Sequence, residues 1–354
     1  MAHKQNKITI HDIARKAFVS AGTVDRVIHN RPGVSEQTRK EVLRLIKLLD
    51  YQPDILARAL VSKKSVKIAA IYPGLKSGKI FWNMPELGMK RAISELLHFG
   101  VQLDNFPFDI SDSVSFLNQA KKTLKSNPDG IILAPGLLKE AKWLSERCFD
   151  LDIPLIYINS KLIEEPYLSY VGQDSYASGK VAAGLINGIL DKDKAVAVIN
   201  VEQNPDNQVH IKERETGFID YSVKEFSKPP GTIFKFTIAK SGVSSINNEL
   251  RKIFSSVQLY GVFITNSRAY RIADWLNTQN KFRPLLIGYD LIDENKNMLN
   301  KGLIKFLISQ KPEEQGYRSV MTLFNHLVMK RKVAKNQLLP IDIITIENLP
   351  YYNA

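Results

Sequence analysis

Residues 8–60 read ITIHDIARKAFVSAGTVDRVIHNRPGVSEQTRKEVLRLIKLLDYQPDILARAL, and short helical patterns divide them. Thr9-Ile-His-Asp12 has the spacing of a capping box, with Asp12 where Glu or Gln is usual. Ile10, Ile13, Ala14 and Ala17 then recur three or four apart. The pattern fades at Phe18-Val19. Ser20 can cap a second helix, roughly 21–29, whose inward residues are Val24, Val27 and Ile28. Asn30-Arg-Pro-Gly33 breaks it. Ser35 then caps a third helix, roughly 36–49, with Val42, Leu45, Ile46 and Leu49 as its apolar stripe. Two short helices across so brief a turn, held by a third, suggest a helix-turn-helix. Asp54 can cap two further turns over 54–61, too short to be stable alone.

The charge is concentrated in this stretch. Residues 1–64 carry a net +7 of the chain's +13, leaving the other 290 nearly balanced. A small basic head fits binding to a polyanion. In a helix-turn-helix the second helix presents its N-terminal residues to base edges, here Ala21, Gly22, Thr23 and Arg26. Arg26 can contact a guanine bidentately, worth about 1–3 kcal/mol of discrimination. Thr9, Ser20, Thr23, Thr38 and Arg39 are candidates for phosphate contact, with capping the alternative for the hydroxyls; Asn30, in the turn, joins this DNA-facing set. Leu56 and Leu60 lie four apart, suited to wedging a minor-groove step or to an ordinary linker.

The chain's 354 residues exceed one ordinary core, so two or three domains are expected. No apolar run is long enough to span a membrane, and the N-terminus lacks the apolar core of a signal peptide. The one cysteine, Cys148, excludes an intrachain disulfide and reads as a buried, inert thiol. These features point to the cytoplasm. Phosphate-cradling and dinucleotide glycine motifs are absent, as is any Cys/His cluster. The six histidines are scattered and read as structural or solvent-exposed. The expectation is therefore a protein that is not an enzyme and needs no metal or cofactor.

Beyond residue 65 the pattern changes. Strand candidates are KIAAIY at 67–72, GIILA at 130–134, PLIYI at 154–158, AVAVIN at 195–200, TIFKFTI at 232–238, YGVFIT at 260–265, PLLIG at 284–288 and GLIKFLI at 302–308. Helical patterns lie around 85–98, 115–125, 175–190, 211–225, 243–255 and 269–278. Such alternation implies parallel sheets covered on both faces, which bind ligands beyond the C-terminal ends of their strands.

Residues 8–60 resemble, without gaps, the DNA-binding head and hinge of the LacI/GalR repressor family. The resemblance is carried by TI-x-DIA, VS-x-x-TV-x-RV, VS-x-x-TR and Y-x-P-D-x-x-AR-x-L. It implies base reading by Ala21, Gly22 and Arg26, and minor-groove insertion by Leu60, with Ala57 and Arg58 in the hinge helix. Asp25 replaces the family's usual Ser, where an acid beside phosphate is unfavourable, so it is expected to pair with Arg26 or a base. Phe18 replaces a small turn residue and could shift the angle between the first two helices.

Residues 65 to about 345 resemble the two-lobed sugar-binding proteins of the periplasm, whose type I fold is the sensory domain of that repressor family. The marks are IAAIYPG at 68–74, PDGIILAP at 128–135, IPLIYIN at 153–159, YVGQDSYASGKVAAGLI at 170–186, RETGF at 214–218, TNSRA at 265–269, IGYD at 287–290 and ISQKPEEQGYRS at 308–319. The implied organisation is a helix-turn-helix domain at 1–53, a hinge helix and linker at 54–65, and an effector-binding body at 66–350. Each lobe is then a parallel sheet flanked by helices, lobe one about 66–170 plus 302–328 and lobe two about 171–300 plus 331–350. Carried onto matching positions, the cleft contains Phe81 or Trp82, Asn159, Arg214, Asn266, Asp290 and Gln310. A carboxylate, amides and an Arg can share a polyol's hydroxyls while an aromatic ring stacks on its apolar face.

Asn159 stands where many sugar binders have Asp or Arg, which leaves a purine, an amino sugar or a phosphorylated sugar open. The implied protein is a homodimeric repressor of a double-stranded operator, allosterically controlled by a sugar-like effector. Activation, a nucleobase effector or a partner protein are the alternatives. The tail beyond about 345 shows no leucine heptads, so a tetramer-forming helix is not expected.

Overall fold

A computed structural model describes residues 8–28, 30–49, 51, 65–74, 80–162, 164–201, 209–239, 242–279 and 282–352. The chain forms two compact units, 1–63 and 64–354.

In the first unit, α1 (Ile10–Lys16), α2 (Ala21–Ile28) and α3 (Glu36–Leu48) enclose a small core of Ile13, Ala14, Val24, Val27, Val42 and Leu45. The caps do what their side chains predict. Thr9 accepts from Asp12 N while the Asp12 carboxylate accepts from Thr9 N, closing the box. Ser20 accepts from Thr23 N at 3.1 Å and Ser35 from Thr38 N at 3.2 Å. Each such cap contributes about 1 kcal/mol. Phe18 takes the left-handed conformation that ends α1, with φ 54°. The expected hinge helix at 54–61, with Ala57, Arg58 and Leu60, lies outside the described residues.

The second unit holds two six-stranded sheets. The first runs β11-β5-β4-β3-β1-β2, from Asn336–Leu338, Ser169–Gly172, Leu155–Ile158, Gly130–Leu133, Val66–Pro73 and Val101–Phe108. The second runs β12-β10-β9-β8-β6-β7, from Asp342–Ile344, Phe306–Ser309, Leu285–Tyr289, Gly261–Ile264, Val196–Val201 and Ile233–Ile238. Pairing is parallel except between β10 and β12. Strands covered on both faces read as continuous apolar runs. In β1, Ile68, Ala70 and Tyr72 enter one core layer while Ala69 and Ile71 enter the layer on the opposite face. In β6, Ala197, Ile199 and Val201 alternate in the same way with Val196 and Val198.

Helices α4 (Asn83–Leu96), α5 (Ser113–Lys125), α6 (Leu138–Asp150) and α12 (Pro312–Leu327) cover the first sheet. Helices α7 (Ser175–Asn187), α8 (Val209–Lys224), α9 (Val243–Ser256), α10 (Ala269–Thr278) and α11 (Asp293–Asn300) cover the second. The backbones of α7 and α8 nearly touch. A Cβ on Gly179 would sit 2.0 Å from Arg214 O, and one on Gly217 would sit 2.0 Å from Tyr176 O, so only glycine permits this approach.

The division of the C-terminal stretch departs from the expected lobes. Strand β10, inside the 302–328 segment assigned to lobe one, pairs with β9 of the second sheet. Gly302, at φ 68°, turns the chain back beside β9, and of the 302–328 segment only α12 packs on the first sheet. Strand β11, inside the 331–350 segment assigned to lobe two, pairs with β5 of the first. The chain therefore crosses between sheets three times, after β5, after β10 and after β11. Among the described residues, no helix is long and apolar enough to cross a membrane.

Candidate functional site

All seven residues singled out for the cleft line one cavity: Phe81, Trp82, Asn159, Arg214, Asn266, Asp290 and Gln310. Asn159, Asn266, Asp290 and Gln310 come from just beyond the C-terminal ends of strands in the two sheets, where open α/β sheets bind ligands. Phe81 and Trp82 form a short 3-10 turn leading into α4, their rings 5.1 Å apart and perpendicular. The sequence left a choice between them; both line the cavity. Asn159 follows β4, Asn266 follows β8 by two residues, Asp290 follows β9 and Gln310 follows β10. Arg214 projects from α8, whose position the Gly179 and Gly217 contacts fix.

A chain of hydrogen bonds organises the floor. Arg214 Nη2 donates to Gln310 Oε1 at 2.5 Å, and Gln310 Nε2 donates to Asp290 Oδ1 at 2.7 Å. Arg214 Nη1 donates to Thr265 O at 2.7 Å, and its guanidinium lies 3.8 Å from the centroid of the Tyr289 ring. Behind it, Thr265 Oγ1 donates to Asn200 Oδ1 and Asn200 Nδ2 to Glu215 Oε2, both at 2.6 Å. Asn295 donates to Tyr289 O, Asp290 O and Ser267 O, which pins the two loops that present Asp290 and Asn266. Burial pushes the Asp290 carboxyl up to about 6, against the opposing influence of Arg214 and the Gln310 amide.

The amides differ in what they can offer. Asn266 spends its side chain on Val201 O and on Arg268 N, so it shapes the loop. Asn159 is held through its backbone, its N donating to Gln315 Oε1 at 2.8 Å and its carbonyl accepting from Tyr170 Oη at 3.2 Å. The cavity is about 60 Å³, well below the roughly 300–1,000 Å³ of small-molecule pockets. A ligand of sugar size therefore requires the two walls to part or the Arg214–Gln310–Asp290 chain to rearrange.

Ile110, His210, Ile211, Ser267 and Arg268 also line the cavity and were not read from the sequence. His210 and Ile211 stand four and three residues before Arg214, so helical spacing was an available signal. Ile110, in the turn after β2, had none.

On the head, Gly22 and Arg26 are exposed one helical turn apart, and Ala21 and Thr23 are half-buried. The hydroxyls are engaged in caps: Ser20 with Thr23 at 3.0 Å, Ser35 with Thr38 at 2.8 Å and Thr9 with Asp12 at 2.7 Å. Arg39 holds the turn before α3, donating to Asn30 Oδ1 and Arg31 O, both at 2.8 Å. Asp25 pairs with Arg31 at 3.1 Å, not with Arg26. The turn at Asn30 brings Arg31 back beside the end of α2, where Arg31 N donates to Arg26 O at 2.8 Å.

Residues 69–331 match the family model of the periplasmic binding protein domain, and residues 9–54 match that of bacterial regulatory proteins of the lacI family. The HTH-type transcriptional regulator RegA of Clostridium acetobutylicum is 32% identical over 163 residues, covering 44% of this chain and 45% of that protein. The chain spans less than half the length of the curated relatives it matches. Among solved structures, a protein assigned as a LacI transcriptional regulator from Bacteroides fragilis superimposes with a TM-score of 0.73 at 27% identity, over 82% of this chain and 100% of that one. A glucose-galactose binding protein from Geobacillus stearothermophilus shares the fold, with a TM-score of 0.70 at 22% identity over 81% of this chain and 100% of that one. The chain belongs to the periplasmic binding protein domain family and carries a lacI-family regulatory domain at residues 9–54.

Proposed function

We propose that this protein is a sequence-specific DNA-binding transcriptional repressor, acting as a homodimer in the cytoplasm, whose affinity for its operator is set by a small polar effector of sugar class. The carrying observation is the joint lining of one cavity by residues from the strand ends of both sheets, in a chain that also bears a helix-turn-helix with Gly22 and Arg26 exposed.

In this reading α2 lies in the major groove and Arg26 reads a base. Ala21 and Gly22 allow close approach, and Thr9, Ser20, Thr23 and Thr38 add phosphate contacts where their hydroxyls are not spent on caps. Two heads on a dimer read a pseudo-palindromic site. The effector lies between Asn159 and the Phe81–Trp82 turn on one side and Arg214 and Asp290 on the other. Because it touches both lobes, its binding energy depends on their separation, and only such a difference can shift a conformational equilibrium. Gln310 sits on the second crossover and contacts Arg214 and Asp290, so a change at the floor reaches the segments joining the lobes. Residues 54–61 would carry that change to the heads.

The test is enrichment of random duplexes on the full chain at fixed salt, because affinity for DNA is strongly salt-dependent. The proposal expects a two-fold symmetric site, with Arg26→Ala relaxing preference at one position per half-site by about 1–3 kcal/mol. Recovery of duplexes without sequence preference would contradict it.

A further inference from the structure

Gln315 does not line the cavity, yet its side chain joins both walls of it. It lies in the first turn of α12 and is 1% exposed. Its Oε1 accepts from Asn159 N at 2.8 Å, on the wall formed by the first sheet. Its Nε2 donates to Gln310 O at 2.9 Å, on the second crossover. Gln310 in turn holds Arg214 and Asp290 through its own side chain. Between the two glutamines the chain passes through Lys311, left-handed at φ 50°. Hinges are built from a few such residues at the ends of elements, which absorb changes in φ and ψ.

The aromatic part of the wall is tied to the same turn. A Cβ on Gly316 would fall 1.9 Å from Pro85 O, and one on Gly88 would fall 1.8 Å from Glu313 O. The start of α12 is therefore locked against the start of α4, which directly follows Phe81 and Trp82. Phe81, Trp82 and Asn159 thus share one reference, the first turn of α12, and Gln315 ties that turn to the crossover. An amide suits the task, because it supplies an acceptor and donors in one plane.

Resting on the reading of the cavity as an effector site that controls affinity for DNA, we infer that Gln315 is a positioning residue for that control. It clamps the second crossover to the Asn159 turn, so that a sugar held by both walls moves the crossover and not only the loops it touches. Without the clamp, the sugar still binds and the DNA response is lost.

The full chain is titrated calorimetrically with D-glucose, D-galactose, D-ribose, L-arabinose and their terminal phosphate esters. Kd for the duplex selected by enrichment is then measured at fixed salt, with and without a saturating amount of the tightest-binding member. The ratio of the two Kd values measures the coupling, which typically spans about 5–150-fold. Gln315→Met keeps the length of the side chain and removes both hydrogen bonds. It should bring the ratio close to one, with the sugar still bound and Kd for DNA alone little altered. A merely structural role would weaken both affinities and leave their ratio intact. A second measurement needs no variant: in the unmodified chain, saturating sugar should change hydrogen exchange at residues 159–160 and 310–315 together. A ratio untouched by Gln315→Met, or exchange that changes at one of the two segments alone, would overturn this inference and leave the effector reading standing. Heat from no member of the panel, or a ratio of one in the unmodified chain, would overturn both.

Discussion

Asn159 and Asp290 occupy corresponding positions in the two lobes, each one residue beyond the third strand in the order of its sheet, β4 and β9, and both are left-handed, with φ 67° and 71°. Asn and Asp tolerate this conformation better than other residues with a Cβ. The same backbone turn thus presents a polar residue to the cavity from both walls, an amide on one and a carboxylate on the other.

Asp290 should make stability depend on pH. Its carboxyl is pushed up to about 6 by burial, above its value near 3.9 in an unfolded chain. Between those values the folded state binds more protons than the unfolded one, so stability falls as pH rises through this window and levels off above it. The difference is about 3 kcal/mol at most. Asp290→Asn should flatten the profile between pH 4 and 6 in urea unfolding. An identical pH dependence in the variant would remove Asp290 as its source.

Gln173, on the first crossover, should hold the three crossovers in register. Its Nε2 donates to Ser309 O at the end of β10, where the second begins, and to Pro340 O on the third, both at 3.1 Å. Gln173→Leu should cost about 1–3 kcal/mol by leaving buried carbonyls unpaired. It should also speed hydrogen exchange at residues 309–312 and 338–342 selectively. A uniform acceleration across the body would argue for general loosening instead.

Gly217→Ala should be disruptive in spite of its small size. The added methyl would fall 2.0 Å from Tyr176 O, forcing α8 away from α7 and displacing Arg214. Overpacking of this kind costs about 1–3 kcal/mol, read as a lowered midpoint in urea. An unchanged midpoint would mean that the helix pair shifts freely.

Phe18 is a bulky residue held left-handed while 95% exposed, so its ring gains little from packing. Phe18→Gly should stabilise the head by about 1 kcal/mol, seen in the full chain as slower hydrogen exchange in α1 and α2. Faster exchange there would show that the ring contributes contacts.

The legible parts of this fold are those governed by local chemistry. The Thr9–Asp12 box, the Ser20 and Ser35 caps and the apolar stripes of the head follow from spacing alone. Buried strands such as β1 and β6 announce themselves as continuous apolar runs. Strand β2, VQLDNFPF, does not: as an edge strand it is half-exposed and accommodates Pro107. Helix α6 lacks a side-chain N-cap bond, and β11 and β12 are three residues each. Which sheet takes β10 depends on pairing with β9, a long-range choice that periodicity does not encode. For the cavity, the positions carried over from family resemblance converge, whereas Ile110 and Arg268 required the three-dimensional arrangement of the turn after β2 and the loop after β8.

The central claim is that occupancy of the cavity changes affinity for DNA. Its most direct test is fluorescence anisotropy with the selected operator duplex at fixed salt, with and without saturating effector identified by calorimetry, in the unmodified chain and in Asp290→Ala. The account predicts at least a tenfold change in Kd for the unmodified chain, lost in the variant, whose own Kd without effector is little altered. The same Kd with and without bound effector in the unmodified chain would contradict it.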